Sequence, residues 1–250
     1  MSRSSSPRRL LSIGITKLRD RYAHHDYPVT IGRGGITPVL ALAALFAFYG
    51  ARTGIPIGLA AVLGAVGGTA SLLVHELGHV QAARRLNGIR SASVSLIWLG
   101  AATRFEGRYE SGREQTQVAI AGPRASFNMA IALGAMCFLP MPVVYKQAVL
   151  LLALFNVAVG VLNLVPAYPL DGHKLAVGLL WSATGSEERA RRIIRRIGIA
   201  WAAVELPAMA VLIIEKPVLG LGLAFVGITF YVQKWFARRS AKRLAQPENL

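Results

Sequence analysis

Residues able to do chemistry are few in this chain, and they cluster. His75-Glu76-Leu77-Gly78-His79 places two imidazoles four residues apart with a carboxylate between them. On a helix, positions four apart share one face, so both rings can reach a single ion. Glu76 lies about 100° round the helix from His75 and can address a water beside that ion without being a ligand. A zinc site then needs a third protein ligand, with one position left open. The single cysteine, Cys137, excludes a cysteine-based zinc site, a CxxC redox pair and a disulfide framework. His24 and His25 lie in a basic tail, and Glu205 has no partner at a metal-ligand spacing. Asp171 and His173 remain, in a stretch that begins at Asn163 and carries Pro166 and Pro169. Two prolines three apart break a helix and free its carbonyls. Within a membrane, broken backbone survives only where it is buried in protein or lines a watery cavity. Asn163 can bond those freed groups or the backbone of a substrate.

The elements that must position these residues are legible in the charge pattern. Of 250 residues, 54% are hydrophobic and only 16% charged, against about 25% charged in ordinary soluble domains. Lys and Arg total 28 against 12 acids, a net charge of +16. The apolar content excludes intrinsic disorder. A nucleic-acid binder of this basicity would need a water-soluble scaffold, so no nucleic-acid partner is expected. Uncharged runs cover 34–51, 53–74, 125–145, 147–170, 197–214 (interrupted only by Glu205) and 217–233. Each is near the ~17–25 residues that span a bilayer. The expected fold is therefore an all-α polytopic membrane protein with about six transmembrane helices. The run 175–186 is too short to span and reads as an interfacial or re-entrant piece.

Basic residues crowd the segments before Gly34, from Arg84 to Arg113, from Lys174 to Arg196 and after Gln233, leaving Arg52, Lys146 and Lys216 for the opposite side. This bias puts both termini in the cytoplasm, with the cell membrane the expected location. It divides the chain into a basic tail at 1–33, a membrane domain at 34–236 with its core at 54–174, and a basic tail at 237–250. No cleavable signal peptide, internal repeat or second soluble domain is expected. The basic segments suit an anionic lipid surface. In this topology the second and fourth helices both run inward. Their C-terminal ends share one depth, where Asp171 can meet His75 and His79. Ala60, Gly64, Gly68 and Ser71 form a stripe of small residues that lets a neighbouring helix approach.

With HExxH at 75–79 and a complete N-x-x-P-x-x-P-x-D-G motif formed by Asn163, Pro166, Pro169, Asp171 and Gly172, the chain resembles the site-2 protease family of intramembrane zinc metalloproteases. The resemblance takes in Ala121-Gly122-Pro123 at the head of the third helix and Leu96 to Ala101 before it, roughly 54–174 in all. The family pattern often has Asn three residues after that proline, where this chain has Ser126, with Asn128 two further on. The resemblance implies one zinc ion held by His75, His79 and Asp171, with Glu76 as catalytic acid/base and His173 outside the ligand set. It implies a minimal form without PDZ or CBS domains. The implied function is regulated intramembrane proteolysis, the cutting of transmembrane segments of other membrane proteins. Two alternatives come from other classes. A metal-binding transporter would spread polar residues along several helices, whereas here they gather at one depth. An inactive family member that only binds substrate is disfavoured by the intact Glu76.

A helix hides its peptide bonds, so such an enzyme must hold its substrate extended. Residues 93–98 alternate small polar with apolar side chains, Gly100 marks a turn, and 102–105 follow. This pattern predicts a short membrane-associated β hairpin between the second and third helices. Its free edge would pair with the unwound substrate, and Ile97→Pro is an edge substitution that would test it.

Overall fold

The computed structural model describes residues 29–31, 35–97, 100–166 and 170–197. In chain order these form β1 (Val29–Ile31), α1 (Ile36–Thr53), α2 (Ile57–Val62), a π-helical segment (Leu63–Gly68), α3 (Thr69–Ala83), β2 (Ile89–Ile97), β3 (Gly100–Gly107), α4 (Gly112–Met136), α5 (Val143–Asn163) and α6 (Asp171–Thr184). A further helical stretch covers 187–197.

α1 ends because Gly54 turns left-handed at φ 77° and returns its N–H to the Gly50 carbonyl. Pro56 then restarts the chain into α2. Ile55, between them, is buried against Ala60 and against Ala148 of α5. α2, the π segment and α3 together make one rod, Ile57–Ala83. The stripe of small residues faces α1. A Cβ added at Gly64 would sit 2.7 Å from the Phe46 Cβ, so only glycine permits this crossing. Lower on the rod, Ser71 Oγ donates to the Gly67 carbonyl at 2.9 Å and accepts from Asn156 Nδ2 of α5 at 2.9 Å. Both side chains are buried, and this bond ties the rod to α5.

Large apolar side chains point outward along these helices, among them Leu40, Phe48, Val66, Leu150, Leu154 and Val161. That arrangement is the inverse of a water-soluble protein and fits solvation by lipid. Among the described residues three helices are long and apolar enough to cross a membrane: Ile36–Thr53, Ile57–Ala83 and Val143–Asn163. These are three of the about six spans expected, and they support a membrane protein without establishing that number. The expected spans at 197–214 and 217–233 lie outside the described residues, apart from the helical Ile197.

The expected third helix, 125–145, is placed differently. α4 begins at Gly112 because Ser111 Oγ accepts the Glu114 N–H at 3.2 Å, while Glu114 Oε2 accepts the Glu110 N–H at 2.8 Å. These two bonds satisfy free N–H groups at the helix start. Ala121, Gly122 and Pro123 therefore stand in the middle of the helix rather than at its head. The expected fourth helix, 147–170, also stops early, at Asn163, and Asp171 opens a new helix instead of ending the old one. Pro166 cannot continue α5, since it lacks the N–H and clashes with the preceding turn. An acidic residue in the first turn of α6 suits the positive end of that helix. The run read as interfacial or re-entrant, 175–186, belongs largely to α6.

The hairpin is present. β2 and β3 pair antiparallel, with Val94 opposite Thr103 and Ile97 opposite Gly100. Ala92, Val94 and Leu96 are buried while Ser93 and Ser95 are partly exposed, the period-two pattern the sequence suggested. Ala92 and Val94 pack on Val80 of α3. β1 adds a third strand, parallel to β2, in the order β1-β2-β3. The fold is thus helical with a small mixed sheet, and part of the expected N-terminal tail enters that sheet. Ile97 lies on the central strand. Among the described residues the outer edges of β1 and β3 are both unpaired, and β3 is the longer of the two.

Candidate metal centre

His75 and His79 share the inner face of α3, and both are buried. Each ring is held from behind by α4. His79 Nδ1 lies 2.7 Å from the Val118 carbonyl, and His75 Nδ1 lies 2.9 Å from Ser126 Oγ. A carbonyl only accepts, so His79 carries its proton on Nδ1 and turns the Nε2 lone pair forward. Ser126 stands behind His75 in the corresponding place, orienting the ring so that Nε2 also faces forward.

Both forward nitrogens meet one oxygen. Asp171 Oδ2 lies 3.0 Å from His75 Nε2 and 2.9 Å from His79 Nε2. A ring nitrogen this close to a carboxylate oxygen needs a proton or a metal cation between them. The three side chains are buried and offer ligand atoms within 4.8 Å of one another, a group able to hold one metal ion. Two imidazoles and one carboxylate are a recurring donor set for catalytic zinc. Asp171 Oδ1 is occupied separately by Lys174 Nζ at 3.2 Å, which leaves Oδ2 for the ion.

The backbone is shaped around this point. A Cβ added at Gly122 would strike His79 Nε2 and lie 2.7 Å from His75 Nε2, so glycine keeps the space in front of the rings clear. A Cβ at Gly78 would lie 2.9 Å from the Ala125 Cβ, so α3 and α4 close to near contact at the level of the rings. Gly172 lets the turn at Leu164 and Val165 lie directly on the start of α6. Gln115 of α4 donates through Nε2 to the Lys174 carbonyl at 2.8 Å, fixing α6 and with it Asp171. Outside the apolar helices, burial, and after it the charge on Asp171, push the Tyr109 phenol up to about 12. Tyr109 therefore remains a neutral hydrogen-bond donor at physiological pH.

Glu76 is not in the ligand group. Its half-buried carboxylate turns to the hairpin, where Thr103 Oγ1 donates to Oε2 at 2.6 Å. Asn163 sits in the last turn of α5, half-buried, and spends Nδ2 on the Val159 carbonyl of its own helix at 3.0 Å. His173, two residues beyond Asp171, is outside the metal group. Asn128 is exposed on α4. His24, His25, Tyr168 and Glu205 lie outside the described residues. Sequence reasoning brought His75, Glu76, His79 and Asp171 together. It gave no role to Ser126, Thr103 or Lys174. For Ser126 the available signal was a polar residue three positions after Pro123. For Thr103 it was a hydroxyl at an inward position of a strand.

The profile of peptidase family M50 matches residues 63–148 and 142–204. A protein of Mycobacterium tuberculosis, provisionally named zinc metalloprotease Rip3, is 33% identical over 184 residues, covering 72% of this chain and 45% of that protein. Zinc metalloprotease MJ0392 of Methanocaldococcus jannaschii is 23% identical over 181 residues, 72% of this chain and 49% of that protein. The chain spans about half the length or less of the curated relatives it matches. Among solved structures, the site-2 protease from Methanocaldococcus jannaschii superposes with a TM-score of 0.50 at 20% identity, covering 90% of this chain and 93% of that one. That likeness establishes a shared fold.

Proposed function

The chain belongs to peptidase family M50, the site-2 protease family, and from that premise we propose that it is an intramembrane zinc endopeptidase, cutting transmembrane segments of other membrane proteins. The observation that carries the reading is the meeting of His75 Nε2, His79 Nε2 and Asp171 Oδ2 at one buried point, with Glu76 the next residue after His75 on the same helix.

His75, His79 and Asp171 would hold the ion, with the Val118 carbonyl setting the His79 tautomer and Ser126 orienting the His75 ring. When bound, zinc supplies a Lewis acid that polarises a peptide carbonyl and acidifies water. Glu76 takes the proton from the attacking water and delivers it to the nitrogen of the departing amine. Lys174 balances charge on Asp171 from the far oxygen. The unpaired edge of β3 offers backbone donors and acceptors to an unwound substrate strand. Asn163, beside the break between α5 and α6, is a second substrate contact.

The test is a pair of variants assayed in proteoliposomes. Glu76→Gln should retain one zinc per chain and lose cleavage of a transmembrane substrate by about 10²- to 10⁴-fold. Asp171→Ala should lose both zinc and cleavage. Cleavage at the wild-type rate by Glu76→Gln would refute the assignment of the base. Undiminished zinc in Asp171→Ala would remove Asp171 from the ligands.

A further inference from the structure

The inner face of the hairpin is apolar except at one position. Ala92, Val94 and Leu96 of β2 stand opposite Phe105, Thr103 and Ala101 of β3, and partners directly opposite in an antiparallel pair project to the same side. That side packs on α3, through Val80 and Leu73. Thr103 is the single polar side chain among these six, and its hydroxyl meets the Glu76 carboxylate at 2.6 Å. The same hydroxyl lies 3.5 Å from the Glu76 carbonyl. Among the described residues Thr103 is the hydrogen-bond partner of that carboxylate. A glutamate side chain has three rotatable bonds, and an unheld carboxylate in a partly open site samples many positions.

We propose that Thr103 is the positioning residue for Glu76, so that the seating of the β hairpin on α3 aligns the catalytic base. The inference rests on the peptidase reading above and adds to it the group that orients the base. The hydroxyl donates to Oε2 and leaves Oε1 to receive the proton of the attacking water. The hydroxyl itself is neither consumed nor deprotonated. Valine has nearly the shape of threonine without the donor, so Thr103→Val removes the bond while keeping strand and packing. Thr103→Ser keeps the donor and loses a methyl group.

The test uses the full chain in proteoliposomes. Thr103→Val should lower kcat about ten- to hundredfold, the usual scale for a misplaced catalytic group. KM and zinc content should stay at wild-type values, and Thr103→Ser should recover most of kcat. In the Glu76→Gln background, Thr103→Val should change the residual rate no further, because the group it aligns is already lost. A second readout needs neither metal nor turnover. The Glu76 carboxylate stretch, isolated as the infrared difference between wild-type and Glu76→Gln protein, should shift with Thr103→Val and return with Thr103→Ser. Wild-type kcat in Thr103→Val, a loss appearing in KM instead, or an unshifted carboxylate band would overturn the proposal. Equal rates for wild type and Glu76→Gln would instead refute the peptidase reading, and the infrared comparison would still report on the bond. If Thr103→Val fails to accumulate, Thr103→Ala serves for every comparison.

Discussion

Gly122 contributes no atom to a bound ion, yet its missing side chain keeps the space before both ring nitrogens open. A methyl group there would collide with both forward ring nitrogens. Gly122→Ala should therefore strip or weaken metal binding while leaving α4 helical, since alanine is the better helix former; zinc content beside circular dichroism checks this. Ser126→Ala removes the group behind His75. Loss of such an outer partner typically costs about 10- to 100-fold in metal affinity, measurable by competition with a chelator, and an unchanged affinity would show that α3 alone orients the ring. At this scale the ligands were readable, because HExxH encodes one helix face and Asp171 was an acid in an apolar setting. Their supports were not. Ser126 and Thr103 are distant from His75 and Glu76 in the chain, and no local pattern tells which hydroxyl a fold will bring to a ring or a carboxylate.

The rod Ile57–Ala83 and the strands beside it show how local signals compete. The stripe of small residues gave its packing face correctly, but α4 was expected to start late, because its first turns carry Arg113, Glu114 and Gln115 and resemble a loop in a membrane protein. The capping bonds at Ser111 and Glu114 override that impression. The alternation in 93–98 was legible as strand. β1 was not, because three residues have no period to detect and their partner strand is over sixty residues away. β1 also makes the strand that carries Ile97 the central one, so a substrate strand added to this sheet would join β1 or β3, and β3 is the longer edge. Proline scanning at Ala101, Ala102 and Arg104 should find at least one position that lowers cleavage of a helical substrate while zinc content persists, since proline removes a backbone donor. Retained cleavage at all three would place substrate capture elsewhere, with Asn163 next to be tested. Between helices, Ser71→Ala removes the bond to Asn156 and should cost roughly 0.6–1.7 kcal/mol of stability, read as a lowered unfolding midpoint in detergent.

The molecule as a whole is organised in depth. The turn between α1 and α2 packs on the start of α5, so Thr53 and Tyr145 belong to one end of the bundle. The hairpin packs on α3, and Gly88, in the turn that leads from α3 into β2, lies at the end where α3 terminates. The asymmetry of Lys and Arg made the two ends legible in sequence and predicts which is cytoplasmic. Single cysteines at positions 53 and 145, in a Cys137→Ser background, should react with an impermeant reagent from outside, and those at 88 and 187 should not. External labelling at 88 would invert the orientation and the side from which the metal centre is entered. The relatives named as zinc metalloproteases are longer than this chain, so activity must be measured on the chain itself. The most direct measurement is the position of the cut. Purified wild-type protein and Glu76→Gln are reconstituted with a single-span substrate, and the products are sized by mass spectrometry. The account predicts zinc-dependent fragments ending inside the apolar span with wild type and none with Glu76→Gln. Fragments ending only in the substrate's soluble flanks, or equal fragments from both proteins, would contradict it.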